Sequence, residues 1–200
     1  MCVDRRDFLR LSTGVAGAAL LGAADAVAQN TPDAIRQLRP LPGKVAPVSD
    51  DERLARTEKA RRLMAENNIN AIYLESGSSL FYYTGVRWGQ SERMFALVIP
   101  ARGELAWVCP KFEEMRAREL IRFGADIRTW EEDESPYKLI AQIFKDRGVR
   151  TGRIGMEERV RFFLFDGIRN EAGNLEYVSA DPVTAGCRMI KSPTEIALMQ

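Results

Sequence analysis

From about residue 49 the chain alternates short apolar runs with helical stripes, and the period of each run predicts an element. Ser49-Asp50-Asp51-Glu52 has the form of a capping box, with the serine oxygen accepting from the backbone N–H near Glu52 and the glutamate reaching back. The helix it opens sets Ala60, Leu63 and Met64 on one face and runs to about Asn68. Ala71-Ile72-Tyr73-Leu74 reads as a strand, as do residues 80–83, 94–99 and 105–108. Pro100-Ala101-Arg102-Gly103 joins the last two as a turn of hairpin length. A helix over about 110–123 takes Pro110 in its first turn and Gly124 just past its end. Ile127 and Thr129 alternate with Arg128 and Trp130 at the period of a strand.

Ser135-Pro136 opens another helix, striped by Leu139, Ile140, Ile143 and Phe144 and closed by Gly148. Residues 153–156 form a short strand, and Val160, Phe163, Leu164 and Ile168 stripe a fourth helix that ends before Gly173. Residues 175–178 supply one more strand. A helix, a group of strands, then alternating helices and strands predict an α/β domain, a mixed β-sheet flanked by helices. Ser192-Pro193-Thr194-Glu195 is a second capping box, with an apolar face starting at Ile196 and Met199. No stop signal follows before Gln200, and an isolated helix of that length is marginal in water. The expectation is a sequence cut inside a helix, with more protein to follow.

The first residues read as an export address. Arg5 and Arg6 form a twin-arginine pattern ahead of Phe8-Leu9 and a Gly/Ala-rich run over 11–24, and Ala26-Val27-Ala28 places cleavage between Ala28 and Gln29. The run is too short and too rich in Gly and Ala to span about 30 Å of hydrocarbon. A periplasmic or secreted protein that meets the twin-arginine translocase is therefore expected. Residues 29–48, with Pro32, Pro40, Pro42 and Pro47, read as an extended leader. The organisation is then 1–28 signal, 29–48 leader, 49–187 domain and 188–200 a seam.

Composition narrows the chemistry. A hydrophobic fraction of 46%, a charged fraction of 28% and a net charge of +1 suit a globular domain and give no basic stripe for nucleic acid. The chain has no histidine, so imidazole serves neither as metal ligand nor as general base. Cys109 and Cys187 lack metal spacing; separate buried thiols are the simpler reading, though an oxidising compartment permits a disulfide. The run Glu131-Glu132-Asp133-Glu134 lacks the ligand pattern of a calcium loop and reads as a solvated loop near a helix N-terminus. Glu113-Glu114 and Glu157-Glu158 read as solvated helix faces, with Glu114 and Arg118 spaced as an i,i+4 pair. No phosphate-cradling glycine motif or nucleophile elbow is present.

Several stretches resemble one family when taken in order: Asn70-Ala71-Ile72-Tyr73-Leu74, Phe81-Tyr82-Tyr83-Thr84-Gly85, residues 94–100, and above all Arg188-Met189-Ile190-Lys191-Ser192-Pro193-Thr194-Glu195-Ile196. They are similar to the N-terminal domain of the creatinase, prolidase and aminopeptidase P group. The last stretch looks like the seam that leads to the catalytic domain. The resemblance implies a homodimeric Xaa-Pro metallopeptidase acting on short proline-containing peptides, and the first residues add export. Its pita-bread domain would hold two divalent ions (Mn, Co or Zn) between two Asp, one His and two Glu, none of which lie here. This segment would then bind no metal and catalyse nothing alone, serving oligomerisation and substrate gating. A creatinase-like amidinohydrolase and a stand-alone periplasmic binding module are the alternatives.

The resemblance also marks site residues. Arg93, at the entrance of the strand over 94–99, matches an arginine that binds a substrate carboxylate in the partner's active site; the competing reading is a surface arginine paired with an acid. Trp88, in the loop over 86–92 that leads to Arg93, would wall off a small substrate, and Tyr83 ends the strand before that loop. Strand-end packing is the plainer reading for both aromatics.

Overall fold

The computed structural model describes residues 32–39 and 46–200. The export address with Arg5, Arg6, Ala28 and Gln29 lies outside the described residues, as does part of the leader. The chain divides into two units, 1–44 and 45–200. In the first, residues 32–39 are exposed and include one helical turn, α1 (Asp33–Arg36), where an extended leader is expected. Asp33 in the first turn suits a helix start. Among the described residues no helix is long and apolar enough to cross a membrane.

The second unit is a three-layer α/β/α arrangement. Its elements are α2 (Asp50–Glu66), β1 (Ala71–Glu75), α3 (Ser78–Thr84), β2 (Ala96–Pro100), β3 (Ala106–Pro110), a 3-10 turn (Lys111–Glu113), α4 (Glu114–Leu120), β4 (Asp126–Trp130), α5 (Pro136–Asp146), β5 (Arg153–Met156), α6 (Phe162–Glu171), β6 (Glu176–Ser179), α7 (Asp181–Met189) and α8 (Pro193–Met199). The six strands lie in the order β4-β3-β2-β1-β5-β6. β1 pairs antiparallel with β2 and parallel with β5, so the sheet is mixed and the predicted fold class holds.

Strand period divides the side chains between two cores. Ala71 and Tyr73 face one layer with Ala96, Val98, Val108 and Ile154, covered by Ile140, Ile143 and Phe144 of α5 and Leu164 and Ile168 of α6. Ile72 and Leu74 face the other with Leu97, Ile99 and Trp107, covered by Ala60 and Met64 of α2, Leu80 of α3, Ala117 of α4 and Val183 of α7. Full burial of each large apolar side chain contributes about 1.5–3 kcal/mol. The buried indoles keep polar partners: Trp107 donates to Phe123 O at 2.8 Å and Trp130 to Met94 O at 3.2 Å.

Four expectations change. Residues 80–83 are helical, not a strand: Leu80, Tyr83 and Thr84 are buried at i, i+3, i+4 spacing, and Gly85 at φ 76° ends the helix with its N–H on Phe81 O. A Cβ at Gly85 would also lie 2.9 Å from the Arg53 guanidinium carbon, so the arginine would have to shift. Pro110 is extended and closes β3 opposite Trp130, so the helix expected over 110–123 shortens to a 3-10 turn and seven residues of α4. Helix α7 was not expected at all. Finally, Ser49 accepts from Glu52 N–H at 3.2 Å, but the Glu52 carboxylate engages Arg56 and Ser192 instead of reaching back.

Candidate functional site

The loop between α3 and β2 carries two of the three aromatic and cationic residues singled out in the sequence. Val86 is buried and its N–H donates to Thr84 Oγ1 at 3.1 Å, which aims the loop away from the helix end. Trp88 then lies flat on Phe95, the rings 3.8 Å apart and 3° from parallel. The Arg116 guanidinium is 4.6 Å from the same indole. With Gly77, Ser78, Phe81 and Val86, Trp88 lines an open depression of about 500 Å3.

Arg93 stands at the other end of the loop, its N–H on Ser91 Oγ at 3.2 Å. Its Nε donates to Glu132 Oε1 at 2.7 Å and a terminal nitrogen reaches Glu132 Oε2 at 3.4 Å. The remaining terminal nitrogen pairs with Glu92, and the guanidinium sits 5.3 Å from the Phe112 ring. Hydrogen bonding to Glu132 raises the Arg93 pKa further above its ordinary value. The 3-10 turn and α4 thus bring Arg93 and Trp88 onto one surface through Phe112 and Arg116. Glu132, from the run read as a solvated loop, is the residue sequence reasoning missed. A pairing across so many residues leaves no local signal.

Tyr83 is not on that surface. It lies in α3, 1% exposed, edge-on to Tyr82 at 5.1 Å. Its hydroxyl is buried beside Cys187 without a nitrogen or oxygen partner, and burial with that neighbour pushes the phenol well above 10. Cys109 and Cys187 are separate, free and buried, which sets aside a disulfide between them; burial pushes the Cys109 thiol up to about 11. Glu114 and Arg118 do pair, at 2.7 Å.

Glu157 is another correction. It is buried ahead of α6, because Glu157 N–H continues the β1–β5 ladder to Tyr73 O at 3.3 Å, and burial raises its pKa. Beside it Glu75, also buried, pairs with Arg161 at the start of α6.

The seam forms a second polar constellation. Ser192 accepts from Glu195 N–H at 3.1 Å and Glu195 returns to Ser192 N–H at 2.9 Å, a complete capping box. Ser192 also donates to Glu52 at 2.8 Å, and Arg56 holds Glu52 at 2.9 Å and Glu195 at 3.3 Å while lying 4.1 Å from the Tyr82 ring. Thus α8 is fastened to the first turn of α2. Neither constellation fits a metal pair. There is no histidine in the chain, and among the described residues no group of three or more His, Cys, Asp or Glu is placed to hold an ion.

The family described as the Creatinase/Prolidase N-terminal domain matches residues 56–190. The chain belongs to that family. A putative dipeptidase of Bacillus subtilis is 25% identical over 146 residues, 72% of this chain and 40% of the relative. A creatinase of a Bacillus species is 25% identical over 159 residues, 78% of this chain and 38% of the relative. The chain therefore spans about two-fifths of the length of these curated relatives. The crystal structure of the creatinase/prolidase N-terminal domain of an X-Pro dipeptidase from Streptococcus pyogenes superposes with a TM-score of 0.57 at 17% identity. It covers 66% of this chain and 98% of that one, a likeness of fold.

Proposed function

We propose that this chain is the non-catalytic N-terminal domain of an exported Xaa-Pro dipeptidase- or aminopeptidase-like metallopeptidase, acting in dimerisation and substrate gating. The observation that carries this reading is the fastening of α8 to α2 beside exposed Met189, Ile190, Ile196 and Met199. A rigid polar joint bordered by apolar surface suits a domain that positions another one. The relative named as a putative dipeptidase supports a dipeptide as the substrate. The two divalent ions of such an enzyme belong to its catalytic domain, where they would supply an activated water. Arg93 serves at the rim of the partner subunit's substrate site, exchanging Glu132 for a substrate carboxylate; its planar donors suit either. The twin arginines direct the folded protein out of the cytoplasm.

The test is hydrolysis of Xaa-Pro dipeptides with added Mn, Co or Zn, by this chain and by the product of its whole reading frame. Turnover by the longer product alone is expected. Turnover by this chain, or a longer product inert toward Xaa-Pro bonds, removes the proposal. The match to a creatinase favours a second reading, an amidinohydrolase, which the same assay separates by offering creatine.

A further inference from the structure

We propose that the cleft at the end of the sheet where β1 and β5 begin binds a small multivalent oxyanion, a diphosphate or a polycarboxylate. β2 runs antiparallel to β1, with Pro100 opposite Ala71, so this cleft and Arg93 lie at opposite ends of the sheet. It encloses about 670 Å3 and is lined by Arg61, Arg102, Arg147 and Arg153, with no Asp or Glu among its described lining residues. Four guanidinium groups therefore converge on one recess, three of them ion-paired from outside its lining and Arg102 uncompensated.

Three of the four are pre-positioned by backbone carbonyls. Arg61 donates to Pro100 O at 3.3 Å and to Gly103 O, Arg147 to Glu104 O at 2.8 Å, and Arg153 to Asn67 O at 3.1 Å. A carbonyl fixes a guanidinium without cancelling its charge. Glu58, Asp126 and Glu176 each pair with one of these three without lining the cleft. Arg102 is exposed and has no carboxylate partner among the described residues. The loop that carries Arg153 has a fixed seat: Asn70 Oδ1 accepts its N–H at 2.8 Å, and Gly152 at φ 110° abuts the same carboxamide, leaving no room for a side chain.

Planar donors on several sides favour an anion with several oxygens over a single carboxylate. The lining offers no nucleophile or general base, so the site binds and does not react.

Calorimetric titration of the chain in about 0.15 M salt tests this, with pyrophosphate, citrate and, as monoanion control, acetate. One-to-one binding of pyrophosphate or citrate is expected, with Kd at or below about 1 mM and no acetate binding. Arg102→Glu should weaken it at least about tenfold with an unchanged melting curve, and Arg153→Lys should weaken it less. A preference for pyrophosphate identifies phosphate chemistry, a preference for citrate a polycarboxylate, and equal affinity a site that reads charge alone. No binding of either, or equal binding by Arg102→Glu, overturns the proposal.

Discussion

Ser192 donates its hydroxyl hydrogen to Glu52 across 2.8 Å, joining the last helix of the chain to the first helix of the α/β body. The same oxygen caps α8 by accepting from Glu195 N–H. Ser192→Ala removes both bonds at once, and loss of such a cap costs about 1–2 kcal/mol. The loss should be local. Hydrogen exchange is expected to quicken in α8 and spare β1; uniform quickening, or none, would show that the joint does not hold the helix.

The joint is also sensitive to acid. Burial works against the Glu52 charge, but hydrogen bonds from Ser192, Thr194 and Arg56 outweigh it and hold the carboxyl below its ordinary 4.5. A folded pKa below the unfolded one gives stability that is full above about 4.5 and lost as pH falls through the lowered value. The difference in melting temperature between the chain and Glu52→Gln should therefore be constant at neutral pH and shrink in acid below 4.5. A difference that stays constant to pH 2–3 would remove the ionised Glu52 from the account.

Trp88 contributes to folding through Phe95, whatever its part in gating. Truncating a half-buried ring stacked at 3.8 Å costs about 2 kcal/mol, and Trp88→Phe should recover most of it. Urea unfolding of both variants measures this; equal stability of Trp88→Ala and the parent would place the indole outside the packed body.

Arg93 should show the opposite profile. Its carboxylate partners are exposed, and exposed ion pairs count for little in stability. Arg93→Ala is expected to melt with the parent chain, yet in the longer enzyme to raise KM for short substrates with a free carboxylate. Unchanged KM would take Arg93 out of the gating role.

Cys109 and Cys187 are predicted to resist a thiol reagent in the folded Cys2→Ser chain and to react together on unfolding without a reductant. If neither reacts in denaturant until reductant is added, the two are paired in solution.

Much of the body was legible in the residues. The strand over 153–156 falls where the run predicts it, and β1 needed one residue more, because each is a short run bounded by turn residues. Leu80-Phe81-Tyr82-Tyr83 misled because four apolar residues carry no period; only the burial of Thr84 beneath Leu80 reveals the helical turn. Helix α7 hid behind Val183, Thr184 and Gly186, poor helix formers held in place by packing on α2. The Asp181-Pro182 start was its one readable signal. At the candidate site, the family resemblance pointed to Arg93 and Trp88. Their setting comes from Glu132, Phe112 and Arg116, partners that the fold alone brings near.

β1 has a consequence for how the molecule comes apart. Its first four residues feed both apolar layers, Ala71 and Tyr73 one way and Ile72 and Leu74 the other. It also bridges the antiparallel β2 and the parallel β5. Slipping it by one position would send each side chain into the opposite layer. Neither layer can therefore melt while the other stays intact, and the body should lose its structure in one step.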